Sequence, residues 1–237
     1  MRRSVLVAFL AGSLPVIAVL AAYLLNIFAG DELEARFICN PYWDGCVSIS
    51  RAARSGPGLY LFRLVMIPVA VLLLLCWNDV RSWLLGMDAC SIRRSRIIFA
   101  LGALGAVFLV SYVTALGSEG EWYRWMRRYG VTFYFGGTAL AQLLLVWTLW
   151  PERRKLASGA LFRPVAALTT LVSLQWALGV LSVIKRLFIY HPDLMDRIEN
   201  IIEWCYALPM ALAFVVIAVL LARSQRTIEA TATGASS

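Results

Sequence analysis

Six stretches of nearly unbroken apolar residues alternate with short polar segments along the chain, at about 4–29, 58–77, 97–117, 130–150, 164–184 and 201–222. Each approaches the roughly 20 residues needed to cross a hydrocarbon core. In lipid, only a helix or a closed barrel satisfies every backbone polar group. Each stretch is therefore predicted to be a transmembrane helix. The first follows Met1-Arg2-Arg3, but its apolar run is too long for a signal-peptide core and no small-residue cleavage site closes it. It reads as a retained span. The fold class is all-α: a polytopic membrane protein with six helices in a bundle, a membrane domain over 1–222 and a polar tail over 223–237.

The polar segments are not equivalent. With the N-terminus inside, the inner segments are the start, 78–96, 151–163 and the tail. They carry twelve basic residues against four acidic ones, while the remaining ten of each lie at the other face. The positive-inside rule then sets both termini in the cytoplasm and leaves loop 30–57 extracytoplasmic. The formal charge of +8 thus belongs to one face, which topology explains without a nucleic-acid partner. Lys155 and Lys185 are the only lysines. This arginine bias points to a GC-rich bacterium, and so to its inner membrane.

Composition agrees: 61% of residues are hydrophobic and 15% charged, against about half and a quarter in a soluble domain. Small residues Gly102, Gly105 and Ala106, Gly137 and Ala141, and Ala18 and Ala22 mark surfaces where helix backbones can approach closely. Pro15, Pro68 and Pro209 mark kinks in three spans. Trp122, Trp125 and Tyr129, with Trp77, Trp83, Trp147 and Trp150, read as aromatic belts at the two interfaces.

Charges that enter the spans are costly and mark function by default. Arg63 lies one turn into the second span and Glu203 at similar depth in the sixth. Arg127 and Arg128 open the fourth span, and Lys185 and Arg186 close the fifth. All six lie at the outer end. Helical spacing adds Gln175, Gly179, Ser182 and Arg186 on one face, Tyr134, Thr138 and Gln142 on another, and Glu199, Glu203 and Tyr206 on a third. Together they outline a polar cavity open toward the outer leaflet. Arginines bind phosphate through charge-assisted, often bidentate, hydrogen bonds. The predicted headgroup-binding set is Arg63, Arg128, Lys185, Arg186 and Glu203. A structural reading stands beside it: Arg63 pairs with Glu203, and the terminal basic side chains reach for the interface.

Candidates for chemistry are His191, the only histidine, together with Glu203, Ser48 and Ser50. No hydrolase elbow, phosphate-binding loop or zinc-protease motif occurs. A single histidine excludes a three-histidine metal site, and no cofactor is expected. Cys39 and Cys46 flank the turn formers Pro41 and Gly45 in "CNPYWDGC". On the oxidising side of a membrane such a pair is predicted to form a disulfide.

Three stretches resemble the Frag/DRAM/Sfk family of six-span membrane proteins, which includes the factor for lipid remodelling of GPI anchors and the damage-regulated autophagy modulator. They are "VSISRAARSGPGLYLFRLVMIP", "RRYGVTFYFGGTALAQLLL" and "ENIIEWCYALPMALAFVV". The matching positions are Ser48, Ser50, Arg63, Gly136, Glu203 and Trp204. Arg128 and Phe214 stand near positions where family members often have histidines. The resemblance implies lipid handling: recognition or remodelling of an anionic lipid or lipid-linked headgroup. Two other readings remain: a small-solute transporter or channel, and an accessory subunit whose outer loop docks a protein partner.

Overall fold

The computed structural model describes residues 2–29, 39–152 and 161–234. Among them the chain forms seven α-helices and no strand. In order these are α1 (Arg2–Ala29), α2 (Ile49–Ala52), α3 (Gly56–Gly86), α4 (Ile92–Ala115), α5 (Glu121–Glu152), α6 (Phe162–Ile184) and α7 (Pro192–Gly234). All but α2 are long and apolar enough to cross a membrane. Residues 30–38 of the long loop, the basic run 153–155 and the end of the tail at 235–237 lie outside the described residues.

The helices outrun the apolar windows that betray them. α3 continues nine residues past Trp77 to Gly86, α5 starts at Glu121 rather than 130, and α7 starts at Pro192 rather than 201. An apolar window measures hydrocarbon thickness, whereas a helix continues wherever its backbone bonds and one face stay satisfied. Val80 and Leu84 supply such a face at the end of α3, where both are buried. Segments 78–96 and 118–129, expected as connections, are thus largely helical. The tail segment 223–234, expected as polar chain, continues α7. Pro15, Pro68 and Pro209 each sit inside a helix that runs on without interruption.

Neighbouring helices pack in chain order around a closed circuit: α1 on α3, α3 on α4, α4 on α5, α5 on α6, α6 on α7, and α7 back on α1. Packing is sparsest between α5 and α6. The small residues singled out in the sequence lie at the close approaches. A Cβ on Gly137 would come 2.8 Å from the Leu101 carbonyl, and one on Gly105 would come 2.8 Å from the Thr138 hydroxyl. α4 and α5 can therefore touch only because both positions are glycine. On the other side of the circuit, Asn26 of α1 donates to the carbonyls of Ala52 and Ser55 and accepts from the Gly58 N–H. That one side chain fixes the entry into α3. At the far end Trp83 Nε1 donates to Ser224 Oγ at 3.0 Å, tying α3 to α7.

Candidate functional site

Cys39 and Cys46 lie at disulfide distance with their Cα atoms 6.5 Å apart. The turn between them is closed by Asn40 and Asp44: the Asn40 N–H donates to Asp44 Oδ2, and the Tyr42 N–H donates to Asn40 Oδ1. Gly45 follows with φ +60°, where any Cβ would collide with the Arg197 carbonyl. Only glycine passes this point without strain.

The loop is fastened to the helices at several places. Tyr23 donates to the Cys39 carbonyl at 2.7 Å, Arg197 to that of Asp44 at 3.0 Å, and Asn200 to that of Gly45 at 2.8 Å. Trp204 is buried, donates its indole N–H to the Val47 carbonyl at 2.9 Å, and receives the edges of Tyr23 and Tyr42. Burial pushes the Tyr42 hydroxyl above its ordinary pKa. Replacing both cysteines by serine is expected to cost about 2.5 kcal/mol, the chain-entropy value for so small a ring. The loop should stay docked, because none of these four hydrogen bonds needs the disulfide. Thermal melts of the wild type with and without reductant, beside the double serine variant, measure this.

Docking of the loop brings α2 against α1 and α7. Ser48 caps it, its hydroxyl accepting the Arg51 N–H at 3.1 Å. Ser48 and Ser50 share the lining of one cavity with Glu203 of α7, and Ile49 and Glu203 share the lining of the space next to it. Glu203 makes no ion pair with a guanidinium among the described residues. Tyr112 of α4 lines the same cavity as Ser50, and its buried hydroxyl has no hydrogen-bond partner among the described residues.

Beside α2 opens a cavity of about 600 Å³. Its floor is polar, with Ser50, Tyr112, Glu203 and Tyr206. Its walls are dominated by arginine: Arg54 after α2, Arg124, Arg127 and Arg128 from α5, and Arg186 after α6. Arg124, Arg127 and Arg128 stand at i, i+3 and i+4, one face of a helix. The opposite face carries the stacked column of Trp125, Tyr129 and Phe133, all exposed. The first turns of α5 thus present guanidinium inward and aromatic rings outward.

The charges are unequally satisfied. Arg127 donates to the carbonyls of Ala115 and Ser118. Arg186 lies 3.2 Å from Glu199, which also holds the buried Lys185 ammonium at 3.0 Å. Arg54, Arg124 and Arg128 have no side-chain hydrogen bond or ion pair among the described residues. Burial, then the like charges of Arg127 and Arg51, pull the Arg54 guanidinium below its usual pKa. A guanidinium does not shed its proton in compensation, so this corner of the cavity is an uncompensated field of positive charge.

Of the residues marked in the sequence, Arg127, Arg128, Ser182, Arg186, Glu199, Glu203, Tyr206, Ser48 and Ser50 line the cavity. Arg63 does not. It reaches from α3 to the end of α4 and donates to the carbonyls of Val113, Thr114 and Leu116. Lys185 is 3% exposed and committed to Glu199. His191 is exposed ahead of α7, away from the lining. The Ser48 hydroxyl is engaged as a cap. Gln175 is buried deeper, donating to the Tyr206 hydroxyl at 3.3 Å.

Arg54, Arg124, Tyr112 and Thr132 are the lining residues that the sequence reading passed over. The spacing of Arg124 with Arg127 and Arg128 was the available signal, once α5 is extended back to Glu121. No protein-family model, curated protein or solved structure matches the chain.

Proposed function

We propose that this chain is an integral protein of a bacterial inner membrane that recognises the anionic headgroup of a lipid or lipid-linked molecule in the arginine cavity. Both termini lie in the cytoplasm, and the cysteine loop faces the extracytoplasmic side. The positive-inside balance of the sequence supports that orientation. The resemblance to the Frag/DRAM/Sfk family belongs to the same proposal and agrees with it in substrate class.

The observation that carries the reading is a single cavity lined by five arginines, of which Arg54, Arg124 and Arg128 have no carboxylate partner among the described residues. Like charges held together in a partly buried cleft raise the energy of the empty site, and a bound phosphate lowers it by charge-assisted hydrogen bonds. Arg127, Arg186 and Glu199 frame the trio. Glu203 lines the same cavity and stands away from the anion. In this assignment Arg63 is a structural side chain and not a ligand.

The interior beyond Gln175 favours recognition over passage of a solute. Leu73, Trp77, Leu145, Leu149, Phe214 and Ile217 fill the core there, all buried. An aqueous path would have to cross that core.

Binding of a long-chain alkyl phosphate to the detergent-solubilised protein tests the reading, with an alkyl trimethylammonium of equal length as control. Arg54→Gln and Arg128→Gln are each expected to weaken alkyl phosphate binding about tenfold or more, the weight of one charge-assisted hydrogen bond of about 1.5–3 kcal/mol. The salt dependence should fall with each, and the control should be unaffected. Undiminished binding by the double variant, at an unchanged melting temperature, would remove the proposal.

A further inference from the structure

Beneath the arginine cavity the circuit of helices encloses a second space, apolar and about 60 Å³ in volume. Val19 of α1, Phe62 and Met66 of α3, and Ala207, Met210 and Phe214 of α7 contribute to its wall. Tyr112, Val131, Phe135 and Glu203 line both spaces. The two therefore adjoin, with guanidinium above the shared residues and hydrocarbon below. An apolar hollow of this kind gives water few partners and leaves its lining short of dispersion contacts. What fills it best is another apolar group.

We infer that the ligand is a single-chain amphiphile, its phosphate among the arginines and its hydrocarbon tail turned inward past Phe135 into the slot between α1, α3 and α7. This rests on the headgroup reading above and adds the chain to it. A free phosphate ester would leave the slot empty, and a slot of this volume accepts one chain rather than two. Moving hydrocarbon from bilayer to protein brings little hydrophobic gain, because lipid tails are as apolar as leucine. The slot therefore acts by placing the chain. It selects ligands whose tail leaves the headgroup as one strand, and it holds the first bonds of that strand beside Glu203 and Tyr112, which line both spaces.

The experiment reads placement. The full chain in lipid nanodiscs is irradiated with a long-chain alkyl phosphate carrying a diazirine in its tail, and adducts are mapped by mass spectrometry. Adducts are expected on Met66, Met210 and Phe214, competed by unlabelled alkyl phosphate. Ala207→Phe, which fills the slot, should reduce them severalfold. Met210→Ala, which widens it, should keep or raise those on Met66 and Phe214. Opposite responses of the two variants separate occupancy from a general loss of fold. Adducts confined to the exposed Leu64, Val71 and Val183 would overturn the slot assignment. The headgroup reading would survive that result if Arg54→Gln and Arg128→Gln still weakened binding. Binding indifferent to both arginines would remove the two proposals together.

Discussion

Replacing Arg63 by alanine is expected to destabilise the protein by about 2–3 kcal/mol while leaving headgroup binding by the folded fraction intact. The guanidinium spans from α3 to the carbonyls of Val113, Thr114 and Leu116. These are among the last acceptors of α4, of which Val113 also accepts the Leu116 N–H at 3.4 Å while the helix end provides no further turn for the others. A cation there also meets the negative end of the helix dipole. Removing it strands acceptors in a partly buried place, and hydrogen bonds to charged groups weigh about 1.5–3 kcal/mol each. Several acceptors lose one donor together, so the loss is not a multiple of that figure. Arg63→Lys should recover only part, because a single ammonium cannot spread over three carbonyls as the planar fork does. Thermal melts in detergent with alkyl phosphate binding measured on the same samples decide the matter. An unchanged melting temperature with binding lost would return Arg63 to the ligand set.

Arg63 also shows where sequence reasoning stops. A basic side chain one turn inside a span has the same signature whether it faces a ligand or the frayed end of a neighbouring helix. Which it faces depends on the offset between α3 and α4, and nothing local to "LYLFRL" records that offset. Glu203 is a parallel case. Its place inside the sixth apolar stretch marked it as special, but it shares its cavity with a four-residue helix, too short to leave a periodic pattern. The expected Arg63–Glu203 pair is replaced by the bonds of Arg63 to the end of α4.

The six spans were legible because lipid imposes one crude demand, a long apolar run, that nothing else in the chain imitates. Their ends were not, since a helix can leave the hydrocarbon layer and continue. The cost of that blind spot falls on the site. With 118–129 taken as a connection, Trp122, Trp125 and Tyr129 were visible as belt residues, while Arg124 had no face to belong to. Starting α5 at Glu121 sorts the same residues into an inward basic face and an outward aromatic one. The cysteine pair, by contrast, was legible from its spacing around proline and glycine together with its place in a loop expected on the oxidising side.

Trp204→Ala is expected to have the largest effect, about 3–5 kcal/mol, the usual cost of emptying a large buried aromatic site. The indole is almost wholly enclosed, and with Tyr23, Val47, Ile49 and Ala52 it forms a small core separate from the main one. Its N–H to the Val47 carbonyl is the bond nearest to α2 on the loop. Losing the ring removes the surface on which Tyr23 and Tyr42 rest and leaves that carbonyl without its donor. The consequence should be local before it is global. Amide exchange is expected to accelerate across 42–54 well ahead of α3 and α4, because the loop draws its order from this cluster. Since Ser50 and Arg54 reach the cavity only when the loop is docked, alkyl phosphate binding should fall with the exchange protection. Trp204→Phe separates the contributions: it keeps most of the packing, loses the hydrogen bond, and should cost nearer 1–2 kcal/mol. If Trp204→Ala melted normally and kept its loop protected, the loop would have to be held by the disulfide and its polar ties alone. The arginine cavity would then owe its shape to Arg197 and Asn200 rather than to the aromatic cluster.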